Sequence, residues 1–499
     1  MAHEESSAHL ADPDTDPLAT YVLEPDDLRT LCARAVVGPG AGTATAYAPF
    51  TGAPVAAVPA SGPDDVPAAA ARARAAHRRW AAVPPRRRRA GLRAVHDLLL
   101  VRQSDALDLM QVETGLARST ASAELIGVAE LARRLAGRDP SRERRHLDGS
   151  VARRRPAGVV AVIGAARAPL ASTLGAALAP LLTGSAVLLH PDPQAVLVGL
   201  WVAELVEDAG LPVELLQVLT GGIEVGAAAV AVGDRLLVPS TATGRELAGL
   251  AGHLQVPVNR LAPGTVAAYV RPDAPVGATA RALARMCFDG SPSAVRRVQV
   301  HRAVAVPFEE AFVQATQLLA VGPGLDYRAE LGSLSTAAQL QQIGDLVAEA
   351  AGVGARVMTG GEPLVRSGPL FYAPTVLGDV PAGDPVRHEP VDGPLVVLDE
   401  VASDDEAVAA MNETGPMPRA LVWTSAPRTC DLDVRADLLM VGTPRGSSGR
   451  SDVRMLVDQV TDPQTVLRRR GGVVPWSTGA TRTALLMAAS RARRALDER

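Results

Sequence analysis

The chain is predicted to fold as an α/β protein: a doubly wound parallel sheet domain followed by a second α/β domain. Three observations carry this. Between about residues 156 and 260, short leucine-rich or β-branched runs alternate with helical segments, the rhythm of parallel βαβ units in a Rossmann-type sheet. The alternation resumes from about 261 to 443. At 499 residues, 47% of them hydrophobic, the chain is also too long for one compact core.

The elements follow in order. Residues 1–20 are acidic, rich in Ala, Ser, Pro and Asp, and lack periodicity, so they read as a disordered tail. From 64 to 137, Ala/Leu/Arg segments with apolar residues at helical spacing and Pro or Gly punctuation predict three amphipathic helices. Asp148-Gly149 favours the φ > 0 turn of a two-residue hairpin, and its flanks RERRHL and SVARRR are exposed strands more apt to pair with something than to stand alone in water. Then come GVVAVIG, a helix at about 169–183, SAVLLH, a helix at 194–210, VELLQVLTG, a short helix at 223–231, and RLLVPS before TATGRELAGLAGHL. The second domain contains AAYV, helices at about 275–288, 307–320 and 336–352, VRRVQVHRAV, ARVMTG, and a last helix and strand through EAVAAMNET and ALVWTS. Beyond 455 lie a candidate strand, RRRGG and the helix TRTALLMAASRARRAL.

Composition excludes several chemistries. The sequence holds no lysine, so all 50 basic residues are arginine. That removes the phosphate-loop lysine, the Schiff-base amine and the kinase strand lysine, and a guanidinium with a pKa above about 12 replaces none of them as nucleophile or base. The net charge of −4 is small and gives no nucleic-acid surface. Cys32, Cys287 and Cys430 form no CxxC pair, no metal motif is present and the N-terminus has no signal pattern, which fits a cytoplasmic protein. Ala168–Leu189 is uncharged, but its two prolines, two glycines and β-branched end read as a buried helix and strand, not a membrane span.

Over nearly its whole length, from YAPFTGAPVAAVP at 47 to the C-terminal helix, the chain resembles the aldehyde dehydrogenase superfamily. VEDAGLPVELLQVLTG (206–221), GPGLDYRAELGSLST (322–336), ARVMTGG (355–361) and GPLFYAPTVL (368–377) match its scaffold segments, and the last of these, with MCFDG near 286, is most similar to the actinobacterial succinate-semialdehyde dehydrogenase branch. The resemblance implies a Rossmann-type coenzyme-binding domain over 21–141 and 156–260, a catalytic-type domain over 261–443, a return segment over 444–454, and oligomerisation elements at 142–155 and 455–499. It also implies a thiolate nucleophile, an oxyanion held by an Asn side chain, a Glu base and hydride transfer to NAD or NADP. Each step needs its own group: a polarisable thiolate, aimed donors and a tunable carboxylate.

Those groups are missing where the resemblance places them. Arg167 takes the oxyanion Asn position in AVIGAARAPL, and Leu261 opens the segment LAPG in place of the base Glu. No Cys falls at the nucleophile position, where Ser293 is the nearest candidate, and Cys287, just before Phe288, reads as core packing. The ribose-gripping Lys and Glu are replaced in His190-Pro191-Asp192-Pro193; His190 is a candidate ribose donor, or more often a satisfied packing residue. The phosphate turn is Leu237-Val238-Pro239-Ser240, with Thr241 to Arg245, including Gly244, following. Ser240 is a candidate pyrophosphate contact or an ordinary helix N-cap, and Pro239 removes a backbone donor. The nicotinamide-ribose Glu position falls on Pro390, with Glu389 one residue away.

Three functions stay open: a non-catalytic member with a structural, regulatory or ligand-binding role; an active NAD(P)-dependent dehydrogenase with an unusual nucleophile; and a nucleotide or acyl-ligand sensor using Arg167 and His190 as anion contacts. The expected cofactor affinity is weak. The expected partners are further copies of the chain or an active relative, with a small-molecule ligand a further candidate.

Overall fold

A computed structural model describes residues 24–139, 144–145, 150–239, 241–261, 266–325, 327–388, 391–413, 417–442 and 453–467. The N-terminal tail, the Asp148-Gly149 turn, Ser240, Ala262 to Gly264, Glu389, Pro390 and the helix at the C-terminus lie outside them. The chain divides into two compact units, Met1–Arg142 with Arg154–Asp462, and Glu143–Arg153 with Pro463–Arg499.

Two sheets organise the first unit. A five-stranded, all-parallel sheet runs in the order Leu216–Val218, Ala186–His190, Val159–Ile163, Arg235–Pro239, Val258–Leu261. Two of its three inner strands, VVAVI and AVLLH, are buried at every position, which is why they read as continuous apolar runs and not as alternation. The uncharged stretch before AVLLH is a π-helical turn, Ala171–Gly175, running into the helix Ala176–Thr183, all inside the core except Ala171. Among the described residues no helix is long and apolar enough to cross a membrane.

Where three helices were expected over 64–137, four are present: Val66–Ala82, Pro85–Val101, Gln103–Thr114 and Arg118–Ala136. The extra break is Arg102, which leaves helical geometry at φ −97°, ψ 27° and turns its guanidinium to Asp105, Glu204 and Asp208. A four-residue gap in apolar spacing is too short to show this. Arg88, in the run Arg86 to Arg89, is the one of the four that is buried; its Nε donates to the Leu182 carbonyl at 2.8 Å and its Nη1 to that of Val83 at 2.5 Å. Glu113 is buried at the end of Gln103–Thr114, where its carboxylate accepts from the N–H groups of Leu197 (2.7 Å) and Val198 (3.0 Å) and so caps the helix Val196–Asp208.

The second sheet has seven strands, Arg356–Thr359, Thr375–Gly378, Leu395–Val401, Val295–His301, Val266–Val270, Ala420–Trp423 and Leu439–Gly442, parallel except for the antiparallel edge Arg356–Thr359. Helices Val276–Cys287, Ala305–Gln317, Ala337–Gly352 and Asp404–Asn412 belong to this half of the unit and contribute to its apolar clusters. The strand Leu395–Val401 sits inside this sheet although the sequence pattern did not single it out, because its polar Asp399 pairs with Arg387 at 2.7 and 3.0 Å and interrupts the apolar run.

In the second unit Arg144–Arg145 pairs antiparallel with Val151 and Ala152, and Arg153 Nε donates to Gln464 Oε1 at 2.7 Å.

Candidate functional site

In an open parallel sheet, ligands bind outside the carboxyl ends of the strands where the strand order reverses. Here that point lies between Val159–Ile163 and Arg235–Pro239: the chain moves outward from the first through Ala186–His190 and Leu216–Val218, then returns to its other side.

The loop after Ile163 carries Arg167. Its side chain is only 11% exposed and reaches across to the other sheet's loops: Nη2 donates to the Gly290 carbonyl at 2.5 Å, and Nε lies 2.9 Å from Asp392 Oδ1. Gly290 holds a left-handed turn (φ +75°) after the helix Val276–Cys287, a backbone geometry that glycine adopts without strain. Asp392 also accepts from Gln339 Nε2 at 2.8 Å. Beside them Arg296 donates to the Gly393 carbonyl; burial, then the nearby Arg167, pushes its pKa down to about 10, which still leaves it charged at neutral pH. Burial pushes the Asp289 carboxyl up against the pull of hydrogen bonds from the Ser291 N–H (2.9 Å) and hydroxyl (2.8 Å) and of the arginines. Arg419 donates to the Ser293 carbonyl at 2.9 Å and lies near the Asp289 carboxylate, and the Asp192 carboxylate lies near that of Asp392.

A small cavity of about 10 Å³ borders Arg167, Gly290, Ser333 and Tyr372, room for roughly one water. The hydroxyls of both Ser333 and Tyr372 are buried and have no hydrogen-bond partner among the described residues.

The other sequence-predicted positions give no nucleophile or base. Ser293 is half-buried in the turn before Val295–His301, and no imidazole or carboxylate hydrogen-bonds its hydroxyl among the described residues. Cys287 is fully buried and its thiol is pushed far up by desolvation; Cys32 is pushed up to about 11, chiefly by burial, and Cys430 is also raised. None is a thiolate at neutral pH. Leu261 ends its strand half-buried. Among the described residues, no group of three or more His, Cys, Asp or Glu is placed to hold a metal.

At the nucleotide end, His190 is 4% exposed, and its Nδ1 must donate to the Leu219 carbonyl at 2.8 Å, since a carbonyl only accepts. Burial holds it neutral and leaves Nε2 without a proton to offer a ribose. The helix Ala242–His253 is capped by Thr241, whose hydroxyl accepts from Gly244 N at 3.1 Å; the N-cap expected at Ser240 is therefore one residue later. That bond occupies the Gly244 N–H. A Cβ on Gly244 would lie 2.0 Å from the Pro239 carbonyl oxygen, so this glycine serves close packing against its own strand end.

Arg296, Asp392, Ser333 and Tyr372 were missed as site residues. Asp392 stands in a motif whose expected acid was elsewhere, and the polar character of Ser333 and Tyr372 becomes informative only once both are seen to be buried.

The sequence profile of the aldehyde dehydrogenase family matches residues 37–439. The chain is 34% identical over 390 residues to the putative succinate-semialdehyde dehydrogenase (NADP+) of Mycolicibacterium smegmatis, covering 76% of this chain and 75% of that protein. It is 32% identical over 386 residues to the vanillin dehydrogenase of an Amycolatopsis species, covering 75% and 78%. Among solved structures, an aldehyde dehydrogenase of Mycobacterium tuberculosis complexed with NAD+ superposes with a TM-score of 0.81 at 25% identity, covering 87% of this chain and 96% of that one.

Proposed function

The chain belongs to the aldehyde dehydrogenase family and resembles its succinate-semialdehyde dehydrogenases, and from that premise we propose that it is a non-catalytic member kept for a structural, regulatory or ligand-binding role. The observation that carries this reading is Arg167. At the position of the oxyanion Asn stands a side chain whose guanidinium spans the crevice to Gly290 and Asp392, while Leu261 and Ser293 supply neither base nor activated nucleophile. In this reading the coenzyme-type domain takes in 21–141 and 156–260, and the catalytic-type domain 261–443.

The residues do not fit a nicotinamide dinucleotide. His190 is satisfied and buried, the Gly244 N–H is taken by Thr241, Pro239 has no N–H, and Arg167 bridges the path between the sheets. NAD and NADP are expected to bind with a Kd weaker than about 1 mM, no more than about 4 kcal/mol of affinity. Isothermal calorimetry checks this, and a micromolar constant for either dinucleotide would restore the enzyme and sensor alternatives.

The segments 142–155 and 455–499 are proposed to join the chain to further copies or to an active relative, since strand backbone left at an edge gains its hydrogen bonds by pairing. Light scattering is expected to give an oligomer for the full chain, and a smaller species once residues 142–155 are deleted. A monodisperse monomer at micromolar concentration refutes self-assembly.

A further inference from the structure

We propose that the crevice at Arg167 is a receptor for a small carboxylate, with Asp392 as a built-in occupant that the ligand displaces. The inference deepens the non-catalytic reading, on which it rests, by naming what the altered site holds.

The ion pair is asymmetric. Arg167 is 11% exposed and Asp392 43%, so Asp392 stands at the mouth and regains water when it leaves, whereas Arg167 stays enclosed. An enclosed guanidinium left unpaired is costly, so the site demands an anion whenever Asp392 swings away. Arg296 adds to that demand: it stays charged, donates to a neutral carbonyl, and makes no ion pair within 4 Å among the described residues.

The remaining donors match the shape of the occupant. Ser333 and Tyr372, whose hydroxyls are buried and unpartnered among the described residues, line the same small cavity as Arg167. A guanidinium and two unpartnered hydroxyls on residues that line one cavity are a donor set that suits a planar carboxylate. The cavity of about 10 Å³ is too small for an added ligand, so the incoming carboxylate takes the place of the Asp392 carboxylate and does not sit beside it. A neutral ligand leaves Arg167 unpaired and is excluded on that ground.

The test is calorimetric titration of the full chain with sodium acetate and sodium succinate, against sodium chloride at equal ionic strength. Asp392→Asn, which removes the internal competitor, is expected to bind at least one of the two carboxylates about tenfold more tightly than the unaltered chain. Arg167→Gln is expected to bind neither. Tyr372→Phe, a milder change should Arg167→Gln not fold, is expected to weaken binding several-fold with the thermal midpoint nearly unchanged. The proposal is overturned if Asp392→Asn gains no affinity for either carboxylate, or if chloride reproduces the signal. Binding is read directly, so aldehyde turnover would refute the non-catalytic reading without touching this result.

Discussion

Given succinate semialdehyde or another aldehyde together with NAD or NADP, the purified protein is expected to produce no measurable reduced cofactor. In the proposed reading, each step of the family's chemistry lacks its group. The thiol nearest in sequence to the nucleophile position, Cys287, is enclosed and its pKa raised, so almost no thiolate exists near neutral pH. A hydroxyl at Ser293 without a base is a poor substitute, and Leu261 has no proton-accepting atom. Loss of one oxyanion donor alone slows such enzymes by about two to three orders of magnitude, and here the donor has become a side chain committed to Gly290 and Asp392. A spectrophotometric assay at 340 nm decides the matter; turnover of even about one per second, low for an enzyme, would sink the non-catalytic reading.

The second large effect is on stability. Glu113 is fully buried, and desolvation raises its pKa from 4.5 to about 8 despite the N–H groups that hold its carboxylate. A carboxyl that is harder to ionise when folded binds more protons in the folded than in the unfolded chain between these values. Its contribution is therefore fully present below about pH 4.5 and is lost as pH rises through about 8. Over that window it is expected to cost a few kcal/mol, at about 1.4 kcal/mol per unit of pKa displacement. Glu113→Gln keeps an acceptor for the helix end but does not titrate, so its thermal midpoint should vary less with pH than that of the unaltered chain. Parallel curves from pH 5 to 8 would show that Glu113 is not the group responsible.

The fold was legible because its signals are local. The buried runs VVAVI and AVLLH, the spacing of Ala and Leu in the early helices, and the scaffold segments around 206–221 and 368–377 each declare themselves within about twenty residues. That the residues the family motif expects do not stand at Arg167, Leu261 and Ser293 was legible for the same reason, since it needs only the residue type at a motif position. What replaced them was not. The contact from Arg167 to Gly290 spans 123 residues, the pairing with Asp392 is more remote still, and burial of Ser333 and Tyr372 depends on packing between loops that no periodicity encodes. The break at Arg102 was hidden similarly, its cause being carboxylates on a helix about a hundred residues further along.

Arg88 gives the all-arginine composition a physical boundary. Its guanidinium offers two nitrogens at fixed spacing to two carbonyls that end different helices, Leu182 and Val83, a span that a single ammonium point cannot cover in the same pose. Its neighbours Arg86 and Arg87 are exposed and make no ion pair among the described residues, so at those sites either cationic side chain would serve. A site that needs a forked donor and sites that need only a positive charge thus meet within four consecutive positions. Exchange to lysine separates them: silent at exposed Arg86 and Arg87, disruptive at Arg88, where the geometry demands two donors.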